Sequence, residues 1–354
     1  MQTAIMILVV LLGTLALPVV AGAVYQAIET WRDRGRFPTP GRLVRVNERL
    51  MHIHVTGEGT PTAVFESGMG ASCLSWMLVQ PQVAQFARTV SYDRAGHGWS
   101  DSTGEPRTAR QIAQELQTLL DAAGIPGPYV LVGHSFGGYV NRAFAHLYRD
   151  RIAGMVLVDS LHPAEWENPS PEQLRMIEVG LRYAWIAAWL ARLGFVRFCL
   201  ARLARGSPRL GWAAASAFGI GTASAVQRIA GEIRKLPAPI LPIVRELWSR
   251  PKSFMALGQH VAALPVSAAQ AAAVISLGIC RSSCFRETIM RHRTPTGNAN
   301  WRSYLREGDI WWCVTADTGF ILTTPNWSPG LSARWSPLHD PLRRWSLYTN
   351  ATMK

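Results

Sequence analysis

Ser135 is the residue whose setting most directly suggests chemistry. It sits in Gly133-His134-Ser135-Phe136-Gly137, after the apolar run Tyr129-Val130-Leu131-Val132 and ahead of a helical pattern. A serine forced onto a sharp strand-to-helix turn holds its hydroxyl clear of the sheet, and Gly133 and Gly137 are needed where a Cβ would strike neighbouring backbone. The unpaired N–H groups at the start of the following helix aim at the same spot. The Phe136 amide is therefore a candidate to hold the negative oxygen of an acyl-transfer intermediate. A serine nucleophile is weak unless a histidine takes its proton and an acid orients that histidine.

The surrounding pattern supplies the elements that would position it. Leu43–Val46 and Met51–Val55 alternate apolar and polar residues about a turn and predict an edge hairpin, with His52 and His54 on its surface. Thr62–Glu66 predicts a buried strand opening into Ser67-Gly68-Met69-Gly70-Ala71, a loop whose glycines let backbone amides approach a substrate. Thr89–Tyr92 predicts a strand ending in Asp93-Arg94-Ala95-Gly96-His97-Gly98-Trp99-Ser100-Asp101. Arg107–Ala123 predicts a helix stopping before Gly124, the helix after Ser135 runs to about Arg149, and Ala153–Val158 predicts a buried strand with Asp159 at its end. Strands alternating with helices imply an α/β fold with a mostly parallel sheet, whose active groups gather at the strands' C-terminal ends. Asp93, Ser135 and Asp159 all fall there.

Ser67-Gly68-Met69-Gly70, then Asp93 through Asp101, then Gly133 through Gly137, in this order and at these spacings, resemble the α/β-hydrolase superfamily over about Leu43 to Gly278. The resemblance implies an α/β-hydrolase fold, a mostly parallel sheet flanked by helices with a helical lid insertion. It implies a serine hydrolase that cleaves a small ester or related acyl substrate through an acyl-enzyme. In such enzymes a glycine-rich loop after a strand gives a second oxyanion amide, here that of Met69, with Gly68 supporting the loop. By the same resemblance Asp93, Arg94 and His97 shape the loop beside the site and stand outside the triad. Asp159, 24 residues after Ser135, occupies a position some members use for the acid, while most place it one strand later. His162–Gln259 is helical, Pro-punctuated and rich in Trp, Leu, Ala and Arg, and corresponds to the lid, lining an apolar acyl or alcohol pocket. A serine at the elbow in place of aspartate argues against dehalogenase or epoxide-hydrolase chemistry. No cofactor and no metal is implied. The alternative, from a different class, is a non-catalytic binding or membrane-interaction protein that keeps the fold.

The 354 residues carry a net charge of +13 and are 48% hydrophobic, enough for a full core and an insertion. The arginines are spread among apolar residues, without zinc-finger spacing, an RNP-like motif or a basic block. An anionic membrane surface, which an Arg-rich lid would also suit, therefore fits the charge better than nucleic acid. The five cysteines form no recognisable disulfide or metal pattern. Ala4 to Ala27 holds no charged residue and is long enough for a bilayer. With no Lys or Arg ahead of it, it favours an uncleaved single-pass anchor at residues 1–28 over a signal peptide cut near Ala21-Gly22-Ala23. Arg32, Arg34, Arg36, Arg42 and Arg45 follow it and place the main domain on the cytoplasmic side. Residues 29–41 then form a linker, 42–161 the hydrolase core, 162–259 the lid and 260–278 the return to the core.

After Gly278 the pattern changes. Six of the fourteen tryptophans lie after Asn300, three of the five cysteines lie after Gly278, and strand–helix alternation stops. The family's histidine belongs near the C-terminus after the last strand, typically as G-H-x-x-x-x-D, and the chain has no such segment. Reading the third base of each codon with the first two of the next restores the pattern. Gly278–Arg286 then permits D-L-P-V-V-V-L-S, and Glu307–Ser328 permits G-R-H-L-V-V-R-D-G-G-H-W-I-H-L-D-D-P-E-L-V. The genetic code forces two valines under Trp311-Trp312-Cys313 and a leucine under Asn326-Trp327. Residues 279–354 thus read as an out-of-frame tail, the product of a frameshift. Such a tail is expected to pack poorly and to leave the Ala153–Val158 strand with an unpaired edge. It would also deprive Ser135 of its base, which typically costs on the order of 10⁶ in turnover. If the frame stands as written, His339, in Ser336-Pro337-Leu338-His339-Asp340, or His292 becomes the candidate base.

Overall fold

The computed structural model describes residues 2–204, 237–272 and 310–314. It opens with one long helix, α1 (Gln2–Arg36), followed by β1 (Arg42–Val46), β2 (Arg49–Thr56) and β3 (Thr62–Glu66). Then come a short α2 (Gln80–Val83), β4 (Thr89–Tyr92), α3 (Ala109–Ala122), β5 (Tyr129–His134), α4 (Gly137–Leu147) and β6 (Ile152–Val158). The predicted hairpin, strands and helices are all present, with ends moved by a residue or two.

The strands form one sheet in the order β1-β2-β4-β3-β5-β6-β7, the last strand being β7 (Ile310–Val314). β1, β2 and β4 pair antiparallel, and β4, β3, β5, β6 and β7 pair parallel. Asn47, at φ 54°, makes the tight turn of the β1–β2 hairpin. Connections from β3 leave toward β4 on one side while β5 lies on the other, so the ends of β3 and β5 flank a topological switch point, where open parallel sheets bind ligands.

The expected bare edge on β6 is not found. Gly154–Val158 pairs in parallel with Ile310–Val314, so the ladder satisfies the β6 backbone from a segment inside the stretch read as out of frame. The other residues of 279–354, with His292 and His339, lie outside the described residues.

One face of the sheet packs Val64, Val90, Leu131 and Met155 against Ile112, Leu116 and Leu120 of α3 and Tyr139, Val140 and Phe144 of α4. Thr108 caps α3 by accepting from the Gln111 amide, and Gly124, at φ 69°, ends it. After β6 come α5 (Pro171–Arg192) and α6 (Phe195–Ala204), then α7 (Leu241–Trp248), α8 (Pro251–Ala262) and α9 (Leu264–Ala272). α8 packs along α5. Leu264, Ala268 and Ala271 of α9 return to the main core, where Ser267 and Gln270 accept hydrogen bonds from the Ala109 and Arg110 amides at the start of α3.

α1 continues to Arg36, through much of the stretch expected as linker, because Gln26 and Asp33 are buried against the later helices. The side chains of Ala4, Leu8, Val9, Leu11, Leu12 and Leu15 lie outside the described ones. Among the described residues no single helix is long and apolar enough to cross a membrane.

Candidate active site

β5 ends at His134 and α4 begins at Gly137, so Ser135 occupies the turn between them at φ 53°. Of the described non-glycine residues, Asn47, Ser135 and Asp159 have positive φ. The first serves a hairpin; the other two end adjacent parallel strands. Backbone strain of this kind gathers where a side chain must be presented and not packed. The glycines of the elbow answer to packing. A Cβ on Gly133 would lie 2.5 Å from Asn141 Nδ2, and one on Gly137 would lie 2.6 Å from the Glu66 carbonyl oxygen. α4 can therefore start tight against the end of β3.

The loop after β3 reaches Ser135, since a Cβ built on Gly68 would stand 3.5 Å from Ser135 Cβ. Buried charge fixes that loop. Glu66 accepts from Tyr92 Oη and from Arg94 Nε (2.7 Å), and Arg94 donates to the carbonyls of Ser67 and Gly68. Holding the Gly68 carbonyl toward Arg94 turns the Met69 N–H of the same trans peptide to the opposite side. Among the described residues neither the Met69 nor the Phe136 amide has a hydrogen-bond partner. Two free N–H groups beside a serine are what an oxyanion requires. Burial pushes the Glu66 carboxyl up, opposed chiefly by Arg94.

Asp93 is held from three sides. It is wholly buried and accepts from His52 Nδ1 (2.8 Å), the Cys73 amide (2.8 Å) and the Trp99 amide (3.0 Å). Burial raises its pKa, but the His52 charge and these hydrogen bonds outweigh it and hold the group at about 2. His52 is therefore not a surface residue as expected: its ring is fully buried because Asp93 needs a partner there. His54 is half-buried, and burial, helped by His52, lowers it to about 4. His52, Cys73 and Asp93 bring three potential ligand atoms within 4.8 Å of one another. Both Asp93 oxygens are already occupied by N–H donors, and burial raises the Cys73 thiol. The cluster therefore serves as a loop anchor.

Asp159 ends β6 at φ 41° with its side chain exposed, close enough to His134 to favour that ring's charged form against the burial that lowers it. Among the described residues no histidine hydrogen-bonds the Ser135 hydroxyl. His97 is buried and, as expected, belongs to the loop; burial first, then Arg94 and Arg107, lower it to about 3. One buried residue escaped the sequence reading. His260 of α8 donates through Nδ1 to the Ala256 carbonyl (2.7 Å), and its ring packs 5.4 Å from the Phe136 ring and 5.1 Å from that of His97. It ties the last insertion helices to the elbow, and an isolated histidine in that helix carries no periodic signal of the contact.

Residues 61–181 match the family described as alpha/beta hydrolase fold. That stretch, about a third of the chain, is similar to the α/β-hydrolase superfamily. The uncharacterized protein YqjL of Bacillus subtilis (strain 168) is 38% identical over 106 residues, 30% of this chain and 42% of its own length. An AB hydrolase superfamily protein of Gibberella zeae is 36% identical over 104 residues, 28% of this chain and 32% of its own. The α/β-hydrolase match thus spans less than half the length of these curated relatives. Among solved structures, the meta-cleavage product hydrolase CumD of Pseudomonas fluorescens IP01 is 25% identical, with a TM-score of 0.32, and overlaps 39% of this chain and 56% of its own. The enol-lactonase of Burkholderia xenovorans LB400 is 18% identical, with a TM-score of 0.41, and overlaps 63% and 73%. Of these four similar proteins, two are named as hydrolases and one as an enol-lactonase.

Proposed function

We propose that this chain descends from a serine hydrolase that cleaves an ester or related acyl bond. Ser135 Oγ attacks the acyl carbon and its proton passes to a histidine. The Phe136 and Met69 amides hold the oxyanion, the alkoxide leaves with that proton, and water then cleaves the acyl-enzyme. Asp159 orients the histidine. No cofactor enters the scheme. The reading rests above all on Ser135, strained at φ 53°, beside two amides without partners.

We further propose that the histidine belongs to the frame restored after Gly278, so that the chain as written is impaired, and that the apolar start of α1 anchors it in a membrane with the main domain on the cytoplasmic side. The helical insertion, α5 to α8, is the lid. A fluorophosphonate probe tests the chemistry. The frame-restored chain should label rapidly and Ser135→Ala not at all, while the chain as written labels slower by a factor on the order of 10⁴ to 10⁶. Equal labelling of both chains would sink the missing-base proposal and turn attention to His339 and His292. No labelling of either supports the non-catalytic binding protein. Sequencing the gene and transcript across the codons for Leu277 to Ile279 decides the frame itself.

A further inference from the structure

The long first helix does not simply tether the domain. Among the described side chains toward its start, Ile5, Ile7, Val10, Leu17 and Val20 are exposed. From Gly22 onward the helix is locked to the lid. A Cβ on Gly22 would run into the Leu193 carbonyl oxygen, and Gly194, at φ 71°, turns the chain there between α5 and α6. One turn on, Gln26 donates to the Ser249 carbonyl (3.1 Å) and accepts from Arg197 Nε (3.0 Å). Arg197 also pairs with Asp33, and all three side chains are buried. The direction of α1 relative to the α5–α6 corner is thus fixed over several turns.

That corner carries aromatic residues. Trp185 and Trp189 are 57% and 58% exposed, and Phe195 and Phe198 are exposed beside them. Arg192 lies over the Trp189 ring (4.9 Å) and Arg202 over that of Phe198 (5.7 Å). α5 and α6 meet at 88° and together are apolar enough to enter a membrane, though bent. Aromatic rings at headgroup depth with arginines reaching to phosphates are the usual composition of a membrane interface.

We propose that the α5–α6 corner is a membrane-docking surface, seated in the headgroup layer of an anionic phospholipid bilayer where α1 enters, with the Asp33–Arg197 pair holding it there. The occupant is a lipid surface because the corner sits beside the start of α1, where the described apolar side chains are exposed, and because Arg192 and Arg202, the charges over its exposed rings, are cationic. This does not depend on Ser135 chemistry.

The test uses the full chain in vesicles of phosphatidylcholine with phosphatidylglycerol, with a nitroxide carried on p-acetylphenylalanine in place of Trp189 or Phe198, and of Gln114 as reference. Labels at positions 189 and 198 should be open to oxygen and shielded from a water-soluble nickel complex, with the position 114 label the reverse. Asp33→Asn should leave α1 resistant to alkaline extraction while the position 189 label loses its shielding, and the reversed pair Asp33→Arg with Arg197→Asp should restore it. Nickel access at positions 189 and 198 equal to that at 114 overturns the proposal. Shielding from both oxygen and nickel also overturns it, since a second protein copy would then cover the corner. Shielding unchanged in Asp33→Asn removes the role of the ion pair.

Discussion

The two flanks of Ser135 are built differently. On the β3–β4 side, Glu66, Tyr92, Asp93 and Arg94 are all buried and hydrogen-bonded to one another or to loop backbone. On the β6 side, Asp159 is exposed, at the end of its strand on a positive-φ backbone. The first flank shapes amides that need no proton transfer. Under the proposed mechanism the second is where the acid and its base would meet, the base coming from the frame restored after Gly278. A site can keep its electrostatic half while losing its acid–base half, because the two draw on different stretches of sequence.

The contrast can be broken by mutation. Asp159→Ala in the frame-restored chain should lower ester turnover by a factor on the order of 10⁴. Its urea midpoint should move by no more than about 0.5 kcal/mol in stability, as at other exposed sites. Unchanged turnover would place the acid one strand later. Arg94→Leu should do the opposite first: leaving Glu66 buried without its cation costs about 3–5 kcal/mol, read by urea unfolding. A cost under about 1 kcal/mol would mean the pair is not truly buried.

Acid should undo the buried flank in two steps. His97 is held at about 3 in the folded chain, below its ordinary 6.5, so it resists protonation there and stability falls as the pH drops below 6.5. Asp93, held at about 2 against 3.8, adds about 2 kcal/mol that is present above pH 4 and lost as the pH falls through 2. Asp93→Asn should flatten the unfolding profile between those values; an unchanged slope would refute the assignment. A smaller effect is Asp159→Gly, which removes a left-handed non-glycine residue and should raise the unfolding free energy by about 1 kcal/mol.

Much of this was legible because the signals are local. The G-x-S-x-G elbow, the glycine loop after Glu66 and the strand endings at Asp93 and Asp159 each depend on a few consecutive residues. His52 was misread because alternation along β2 reports which residues share a face, while its burial depends on Asp93 arriving from another strand. His260 was missed for a similar reason, its contacts lying 163 residues away at His97 and across the elbow at Phe136. The β6 edge was expected bare because Ile310-Trp311-Trp312-Cys313-Val314 was read for its frame and not for its backbone, yet a parallel ladder asks only for N–H and C=O groups in register.

The amino-acid sequence by itself determined the order of strands and helices, the strained turn at Ser135 and the loop beside it, since backbone strain, glycine spacing and hydrophobic period act within a few residues. Only the tertiary structure decided which buried charges pair, that Arg94 turns the loop carbonyls away from Ser135, and that α1 locks onto the later helices at Gly22, Gln26 and Asp33. Those outcomes depend on the desolvation of groups far apart in the chain, and a charge has no partner until the fold brings one.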